Sequence, residues 1–160
     1  MIFVTVGSQK FQFNRLLKEI DRLVKNNIIK EDVFAQIGYS DYRPSYYKYK
    51  QFLDRKEFFE LEKSADIVIT HGGTGAIIGA LKNEKKVIAV PRLLKYGEHV
   101  DNHQLQVLSQ FEEMNLIIVC KDIDDLGDAY LSIRKKNFLK YESNTDKILN
   151  NIRKFIELKR

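Results

Sequence analysis

The chain has 160 residues, 44% of them hydrophobic and 31% charged, which is the composition of one globular domain and excludes a disordered chain. Its single cysteine, Cys120, excludes an internal disulfide framework and favours a reducing compartment. No apolar run approaches the ~20 residues that a membrane span needs, and Met1 to Val6 lacks the features of a signal peptide. We therefore expect a soluble, cytoplasmic protein.

The net charge of +5 is concentrated near the C-terminus, because residues 134–160 carry nine Lys or Arg against three Asp or Glu. We predict one domain over residues 1–160, with roughly the last 25 residues forming a basic helical tail. The apolar residues of its helix are Ile148, Leu149, Ile152, Phe155 and Ile156. Such a tail can bind nucleic acid, an anionic membrane surface or an acidic partner, and the alternative is a solvated helix face.

The first third of the chain contains two apolar runs that predict buried strands. These runs are Ile2–Val6 and Val33–Ile37, and each ends at a glycine. Between them, apolar residues at spacings of three and four from Phe13 to Val24 predict an amphipathic helix. Residues 39–53 suit either an exposed strand or a loop.

The rest of the chain alternates predicted strands and helices. The strands are Ile67–Thr70, Val87–Val90 and Leu116–Cys120. Three helices are predicted here. The first begins at a capping box formed by Asp54 and Glu57, and the second runs from about Ala76 to Asn83. The third carries Leu105, Leu108 and Phe111 on one face. Because the strands are continuously apolar, we predict an α/β fold in which a Rossmann-like parallel sheet has helices on both faces. Ligands of such sheets bind at the carboxyl ends of the strands.

A glycine-rich loop follows the strand at Ile67–Thr70 and consists of His71, Gly72, Gly73, Thr74 and Gly75. Glycines let the backbone approach a ligand, and the helix that follows offers unpaired N–H groups and a positive dipole end, so a phosphate would fit. The alternative is a tight turn into a helix. The loop lacks the Gly-Lys-Ser/Thr of a P-loop, and as a dinucleotide fingerprint it lacks the third glycine.

A polar cluster at Gly97–Gln104 is the second candidate site. It contains Glu98, His99, Asp101, Asn102, His103 and Gln104. Asp101 or Asn102 could cap the following helix, and His99 with His103 could hold a metal, although hydrogen bonding to sugar hydroxyls explains the cluster as well. The loop of Gly7, Ser8 and Gln9 is a third candidate, for a phosphate contact, and its alternative is a plain turn. In a doubly wound sheet these loops would converge, which suggests a nucleotide-sugar site.

Several motifs resemble the family 28 glycosyltransferase C-terminal domain. They are residues 2–8, residues 64–75, Val90-Pro91-Arg92, Gly97-Glu98-His99 and Asp101–Gln104. The sequence is most similar to the stand-alone subunits of bacterial capsule and exopolysaccharide synthesis. Those subunits are similar to the catalytic subunit of the two-part eukaryotic enzyme that adds the second N-acetylglucosamine to dolichol diphosphate. The resemblance covers residues 1 to about 120.

The resemblance implies the donor-binding half of a GT-B glycosyltransferase, which inverts the anomeric centre and uses neither a metal nor another cofactor. It implies that His71, Gly72, Gly73, Thr74 and Gly75 hold the UDP diphosphate with Gly7 and Ser8, and that Phe52 and Leu53 face the uracil. It places Asp101, Asn102, His103 and Gln104 at the donor sugar, and Glu98 and His99 at the mouth of the cleft.

One position departs from the family pattern. Many relatives carry a ribose-binding glutamate early in the helix after the glycine loop, and Gly79 occupies about that position here. Either Glu98 takes that role or donor binding is weaker. The resemblance also implies that a membrane-anchored partner supplies the lipid-linked saccharide acceptor and the general base. The stretch from Tyr39 to Lys50 and the basic tail would contact the partner or the inner leaflet, unless Tyr46, Tyr47 and Tyr49 simply pack on the sheet edge.

The sequence thus predicts the catalytic subunit of a two-component hexosyltransferase. It would transfer sugar from a UDP-sugar to an undecaprenyl-diphosphate-linked acceptor in capsule or exopolysaccharide synthesis, at the inner face of the plasma membrane. The alternative is a non-catalytic, regulatory subunit that binds nucleotide sugars. A nucleic-acid binder that uses Tyr39 to Phe52 and the basic tail is disfavoured, because the rest of the chain is almost neutral.

Overall fold

The structure is a computed structural model that describes residues 1–144 together with residues 150, 153, 154, 156 and 157. These last five residues are helical. Of the apolar residues predicted for the final helix, Ile148, Leu149, Ile152 and Phe155 lie outside the described residues. In the described part of the chain, no helix is both long and apolar enough to cross a membrane.

Strands and helices alternate along the described chain. The strands are β1 (Ile2–Thr5), β2 (Val33–Gln36), β3 (Lys48–Lys50), β4 (Ile67–Thr70), β5 (Lys86–Ala89) and β6 (Ile118–Val119). The helices are α1 (Asn14–Lys25), α2 (Arg55–Ser64), α3 (Thr74–Lys82), α4 (Gln104–Glu113) and α5 (Leu126–Ile133), with 3₁₀ turns at Leu94–Tyr96 and Ile123–Asp125. The elements therefore follow the predicted order.

The six strands form one parallel sheet in the order β3-β2-β1-β4-β5-β6. Strand β1 lies inside the sheet. Strands β2 and β3 extend the sheet on one side of β1, and β4, β5 and β6 extend it on the other side. The loops after β1 and β4 therefore leave neighbouring strands in opposite directions, which opens a crevice at their carboxyl ends. In the register of these two strands, Thr5 lies beside Thr70.

Both faces of the sheet are covered, which explains the continuously apolar strands. Ile2 and Val4 of β1 pack in a core with α1 and α5, whereas Phe3 between them packs in a second core with α3 and α4. Residues that follow each other in a strand point to opposite faces, so both sets must be apolar. The predicted α/β fold is confirmed.

Some predicted boundaries differ from the structure. Helix α3 begins at Thr74, two residues before the predicted Ala76, and β6 is shorter than the predicted Leu116–Cys120. The capping box of α2 is confirmed, because Asp54 accepts a hydrogen bond from the Glu57 amide (2.8 Å) and Glu57 accepts one from the Asp54 amide (3.1 Å).

The tyrosine-rich segment of residues 39–50 packs against α1 through the buried carboxylate of Asp21. This carboxylate accepts hydrogen bonds from the Tyr42 hydroxyl (2.7 Å), the Ser45 amide (2.9 Å) and the Tyr46 amide (2.8 Å). The hydroxyl of Tyr47 also donates to the Leu17 carbonyl (3.0 Å). The segment is thus a fixed edge of the domain, and residues 48–50 form its edge strand β3.

The proposed test of this anchor is Asp21→Asn. The NH₂ group of an asparagine at residue 21 would face at least one of the donors that the carboxylate now accepts from, and two donors cannot pair. We therefore expect the free energy of unfolding to fall by about 1–3 kcal/mol. The hydrogen bond to Asp21 also raises the pKa of Tyr42 to about 12, and we expect this pKa to fall in the variant. Urea unfolding and ultraviolet titration of tyrosine measure the two effects.

The matched control is Asp32→Asn, which makes the same chemical change at an exposed residue. It should alter the free energy of unfolding by less than about 0.5 kcal/mol. Equal stabilities of the two variants would contradict the anchoring role of Asp21.

Candidate functional site

The N-terminus of α3 forms an open, glycine-rich surface at the carboxyl end of β4. Gly73 is the N-cap residue and offers no side chain to cap the helix, and both Thr74 and Gly75 are exposed. A Cβ at Gly75 would have no other atom within 4 Å. The amides of the first helical turn and the positive end of the helix dipole therefore face open space, which is an environment that binds anions.

His71 lies beneath this surface and locks two loops together. Its imidazole Nδ1 lies 3.3 Å from the Thr5 carbonyl oxygen, and only 8% of the residue is exposed. A Cβ at Gly7 would lie 2.7 Å from the ring, and one at Gly73 would lie 2.5 Å from it. Gly7 and Gly73 are therefore glycines because the imidazole fills the space between them.

The imidazole of His71 is neutral at pH 7. Burial, and next the positive charge of Arg92, lower its pKa to about 4, although the hydrogen bond with Thr5 opposes the shift. His71 thus contributes shape to the candidate phosphate site and contributes no positive charge. The resemblance implied that His71 holds the diphosphate, and the structure places it as a support behind the loop.

The remaining glycine of the loop serves packing. Gly72 has a φ of +88°, and a Cβ there would lie 2.9 Å from the Leu108 side chain of α4. Both explanations offered by the sequence therefore apply within the same loop. Gly72 makes a tight turn against α4, whereas Gly75 leaves the helix N-terminus open.

Glu98 does not lie at the mouth of the cleft as the resemblance implied. Its residue is fully buried, and its two carboxylate oxygens accept hydrogen bonds from Arg15 Nε and Nη2, both at 2.9 Å. The Leu93 amide donates to the same carboxylate at 2.9 Å. The oxygens of Glu98 are already paired inside the protein, so the structure does not favour a role for Glu98 in ribose binding.

The rest of the polar cluster divides into residues that fix the loop and residues that face outward. His99 Nδ1 lies 3.1 Å from the Asp101 carbonyl oxygen, and Asn102 accepts a hydrogen bond from the Leu94 amide (3.3 Å). Asp101 accepts one from the His103 amide (3.0 Å). Neither Asp101 nor Asn102 caps α4, since the N-cap position is His103, which makes no side-chain cap.

Two residues of this cluster remain candidates for contact with a sugar. His103 is exposed. The side-chain oxygen of Gln104 is buried without a hydrogen-bond partner among the described residues, which is costly, and a sugar hydroxyl could pair with it only after the side chain rotates outward. In residues 1–144, His99 and His103 do not join a group of three or more side chains that could hold a metal.

Position 79 is faced by a carboxylate from another helix. A Cβ at Gly79 would lie 3.3 Å from Glu62 Oε1 of α2, and the other oxygen of Glu62 accepts a hydrogen bond from Asn83 (2.9 Å). Glu62 is buried, and desolvation raises its pKa. A side chain at residue 79 would thus have to displace the Glu62 carboxylate slightly, a contact that the sequence pattern gave no means to foresee.

The predicted base-binding side lies at the carboxyl end of β3. Phe52 is 43% exposed and makes an edge-to-face contact with Tyr39, with ring centroids 5.2 Å apart. The Leu53 amide donates to Gln36 Oε1 at 3.0 Å. Three strand spacings, about 14 Å, separate β3 from β4. The sequence pattern did not indicate Tyr39 as part of this site, since only the sheet order brings the loops after β2 and β3 together.

The neutrality of His71 leads to a prediction about the pH dependence of stability. A histidine whose pKa is about 4 when folded and near 6.5 when unfolded takes up a proton on unfolding between these values, so stability falls as the pH drops through this window. From pH 7 to pH 4.5 we expect His71 to account for a loss of about 2 kcal/mol. His71→Asn keeps a polar group near the position of Nδ1 but takes up no proton, so its free energy of unfolding should depend less steeply on pH. Equal losses in urea unfolding of the two proteins would contradict the prediction.

Comparison with known proteins shows similarity to transferase subunits. The chain is 29% identical over 87 residues to the UDP-N-acetylglucosamine transferase subunit ALG13 of Candida glabrata, a match that covers 54% of this chain and 42% of that protein. It is 30% identical over 97 residues to the protein of the same name from Kluyveromyces lactis, covering 58% of this chain and 47% of that protein. The matches thus span less than half of the relatives' length.

Solved structures share the fold at low sequence identity. The glycotransferase of kitacinnamycin gives a TM-score of 0.63 at 15% identity, over 84% of this chain and 35% of that one. The UDP-GlcNAc 2-epimerase of Methanocaldococcus jannaschii gives a TM-score of 0.63 at 16% identity, over 96% and 45%. The chain therefore has the fold of one half of a GT-B glycosyltransferase. The model of the glycosyltransferase family 28 C-terminal domain matches residues 1–158, and this chain belongs to that family.

Proposed function

We propose that this chain is the donor-binding catalytic subunit of a two-part, inverting UDP-sugar glycosyltransferase. The observation that carries the proposal is the open N-terminus of α3, which lies beside the loop after β1 at the switch point of the sheet. Membership of the family suggests which anion binds here, since a glycosyltransferase must hold the diphosphate of its nucleotide sugar.

In the proposed mechanism, the diphosphate lies against Gly7, Ser8, Thr74 and Gly75. The acceptor hydroxyl displaces UDP from the anomeric carbon in one step, so the configuration inverts. Negative charge builds on the leaving diphosphate, and the amides and dipole of α3 stabilise it. His103 and Gln104 would contact the donor sugar, and Phe52 and Leu53 would contact the uracil.

We assign the general base to a partner subunit. Among the described residues at the carboxyl edge, Glu98 is paired with Arg15 and His71 is buried, so neither is free to take a proton from an acceptor. His103 is exposed, but in this proposal it contacts the donor sugar. Exposed apolar side chains, namely Leu94, Tyr96 and Val100, follow β5 at the same edge. They would be covered by the acceptor-binding subunit across the cleft. The relatives in yeasts are themselves named as transferase subunits.

The acceptor and the pathway rest on the sequence resemblance alone. The partner would be membrane-anchored and would present a lipid-linked saccharide, undecaprenyl diphosphate in capsule or exopolysaccharide synthesis, at the inner face of the plasma membrane. This chain would then be a peripheral protein held there through its partner. The sugar donor to test first is UDP-N-acetylglucosamine, which the names of the relatives carry.

A second candidate function is a regulatory subunit that binds a nucleotide sugar without transferring it. The burial of Glu98 and the glycine at position 79 favour this alternative, because they remove two carboxylates from the donor side of the cleft. Transfer of radiolabelled sugar to lipid by membranes that contain the partner distinguishes the two functions.

The binding site is best tested at Gly75. Gly75→Asp adds a negative charge in open space at the helix N-terminus, where a carboxylate stabilises the helix and repels a phosphate. We expect calorimetry to show at least tenfold weaker binding of UDP, and the sugar-transfer assay with the partner to show a corresponding loss. A substitution at Gly73 is less informative, because its Cβ would displace His71.

Gly75→Asn is the matched control, since it has nearly the same size without the charge. It should bind UDP within about threefold of the wild type, because the amide adds little electrostatic repulsion. If Gly75→Asp bound UDP as tightly as the wild type, the phosphate would not lie at the N-terminus of α3. A wild-type complex with its partner that fails to bind UDP would refute the glycosyltransferase function.

A further inference from the structure

A buried cluster of charged groups lies behind the loops that follow β1 and β5. Arg92 is 1% exposed, and its guanidinium donates hydrogen bonds to the carbonyl oxygens of Phe11 (2.9 Å), Gln12 (3.2 Å), Glu98 (3.1 Å) and Val6. Its Nε has no hydrogen-bond partner among the described residues. All the acceptors that the structure shows for Arg92 are thus uncharged.

The charges of this cluster do not cancel. The carboxylate of Glu98 accepts two hydrogen bonds of 2.9 Å from Arg15, so its negative charge is already paired with Arg15 and compensates Arg92 only in part. Two guanidinium groups and one carboxylate leave a net charge of +1. Burial lowers the pKa of Arg92 to about 10, so it remains charged at neutral pH. Arg15 is partly exposed to solvent, whereas Arg92 is buried and hydrogen-bonds no carboxylate of the residues that the structure describes. Burying a charge without a counter-ion is costly, because the charge loses its hydration.

The position of Arg92 shows where a counter-ion would lie. Its Nη2 holds the carbonyl of Val6, directly before Gly7, and its charge acts on the imidazole of His71. That imidazole lies between Gly7 and Gly73. The guanidinium is therefore behind the same surface that the open end of α3 faces. Protein lies between the guanidinium and this surface, and protein screens the interaction of two charges less than water does.

We infer that Arg92, without touching the ligand, supplies the buried counter-charge for the diphosphate of a nucleotide bound in front of Gly7 and Gly73. The inference rests on the proposed function and adds to it a second source of positive charge, besides the dipole of α3. Its consequence is selectivity for ligand charge. Arg92 strengthens the binding of a nucleoside diphosphate and leaves a neutral nucleoside almost unaffected.

The experiment compares the binding of UDP and uridine by NMR titration of four proteins: the wild type, Arg92→Met, Glu98→Gln and Glu31→Gln. Loss of the guanidinium charge in Arg92→Met should weaken UDP at least tenfold and uridine less than twofold. In the same variant, the pKa of His71 should rise, because the charge that helps to lower it is gone.

Glu98→Gln distinguishes charge from loop structure. It raises the net charge of the cluster to +2 and keeps a side chain of nearly the same shape. Its NH₂ group must face one of the donors from Arg15 or Leu93, and the ratio of UDP to uridine affinity corrects for a loss that both ligands share. The affinity for UDP relative to uridine should therefore rise severalfold, whereas a purely structural role for the cluster predicts no increase. Glu31→Gln removes a carboxylate before β2, at the opposite edge of the sheet, and should leave the ratio unchanged.

Three outcomes overturn the inference. It fails if UDP and uridine weaken together in Arg92→Met, or if the ratio of their affinities does not rise in Glu98→Gln. If Arg92→Met does not fold, the Glu98→Gln ratio decides alone. If the wild type with its partner binds no UDP, the proposed function falls and this inference with it, whereas normal UDP binding with an unchanged ratio in the variants removes only the inference.

Discussion

The hydrogen bonds of one buried guanidinium hold the candidate site in its shape. Arg92 follows β5 and reaches the carbonyls of Val6, Phe11 and Gln12, which belong to the loop between β1 and α1. Its partner in the cluster, Glu98, ties the loop after β5 to α1 through Arg15. The centroid of the Phe13 ring lies 5.3 Å from the Arg15 guanidinium carbon and 5.2 Å from that of Arg92. Two loops from non-adjacent strands thereby become one rigid surface.

The glycines at this surface follow from what surrounds them. The imidazole of His71 fills the space beside Gly7 and Gly73, and Leu108 fills the space beside Gly72. Gly75 alone among the loop glycines has open space around it. Packing and ligand binding therefore use different glycines of the same loop, so the loop can be both tightly built and open to an anion.

The proposed division of labour between two subunits fits the distribution of charged groups. Behind the glycine loop, the described donor side holds a carboxylate that is already paired, Glu98, and a neutral imidazole, His71, which suit the binding and stabilisation of a leaving diphosphate better than proton abstraction. An enzyme built in this way would need its base from elsewhere. The exposed apolar residues after β5 lie at the edge of the sheet where a second subunit would have to contribute it.

The sequence alone determined the sheet class, the order of the elements, the capping box of α2 and the glycine loop, because these depend on short-range periodicity and turn chemistry. Only the tertiary structure decided the roles of particular polar residues. Glu98 is paired with Arg15, 83 residues earlier, and His71 contacts Thr5, 66 residues earlier. The carboxylate beside Gly79 comes from another helix. Burial and pairing are set by contacts between distant segments, and these decide whether a polar side chain faces a ligand or supports the fold.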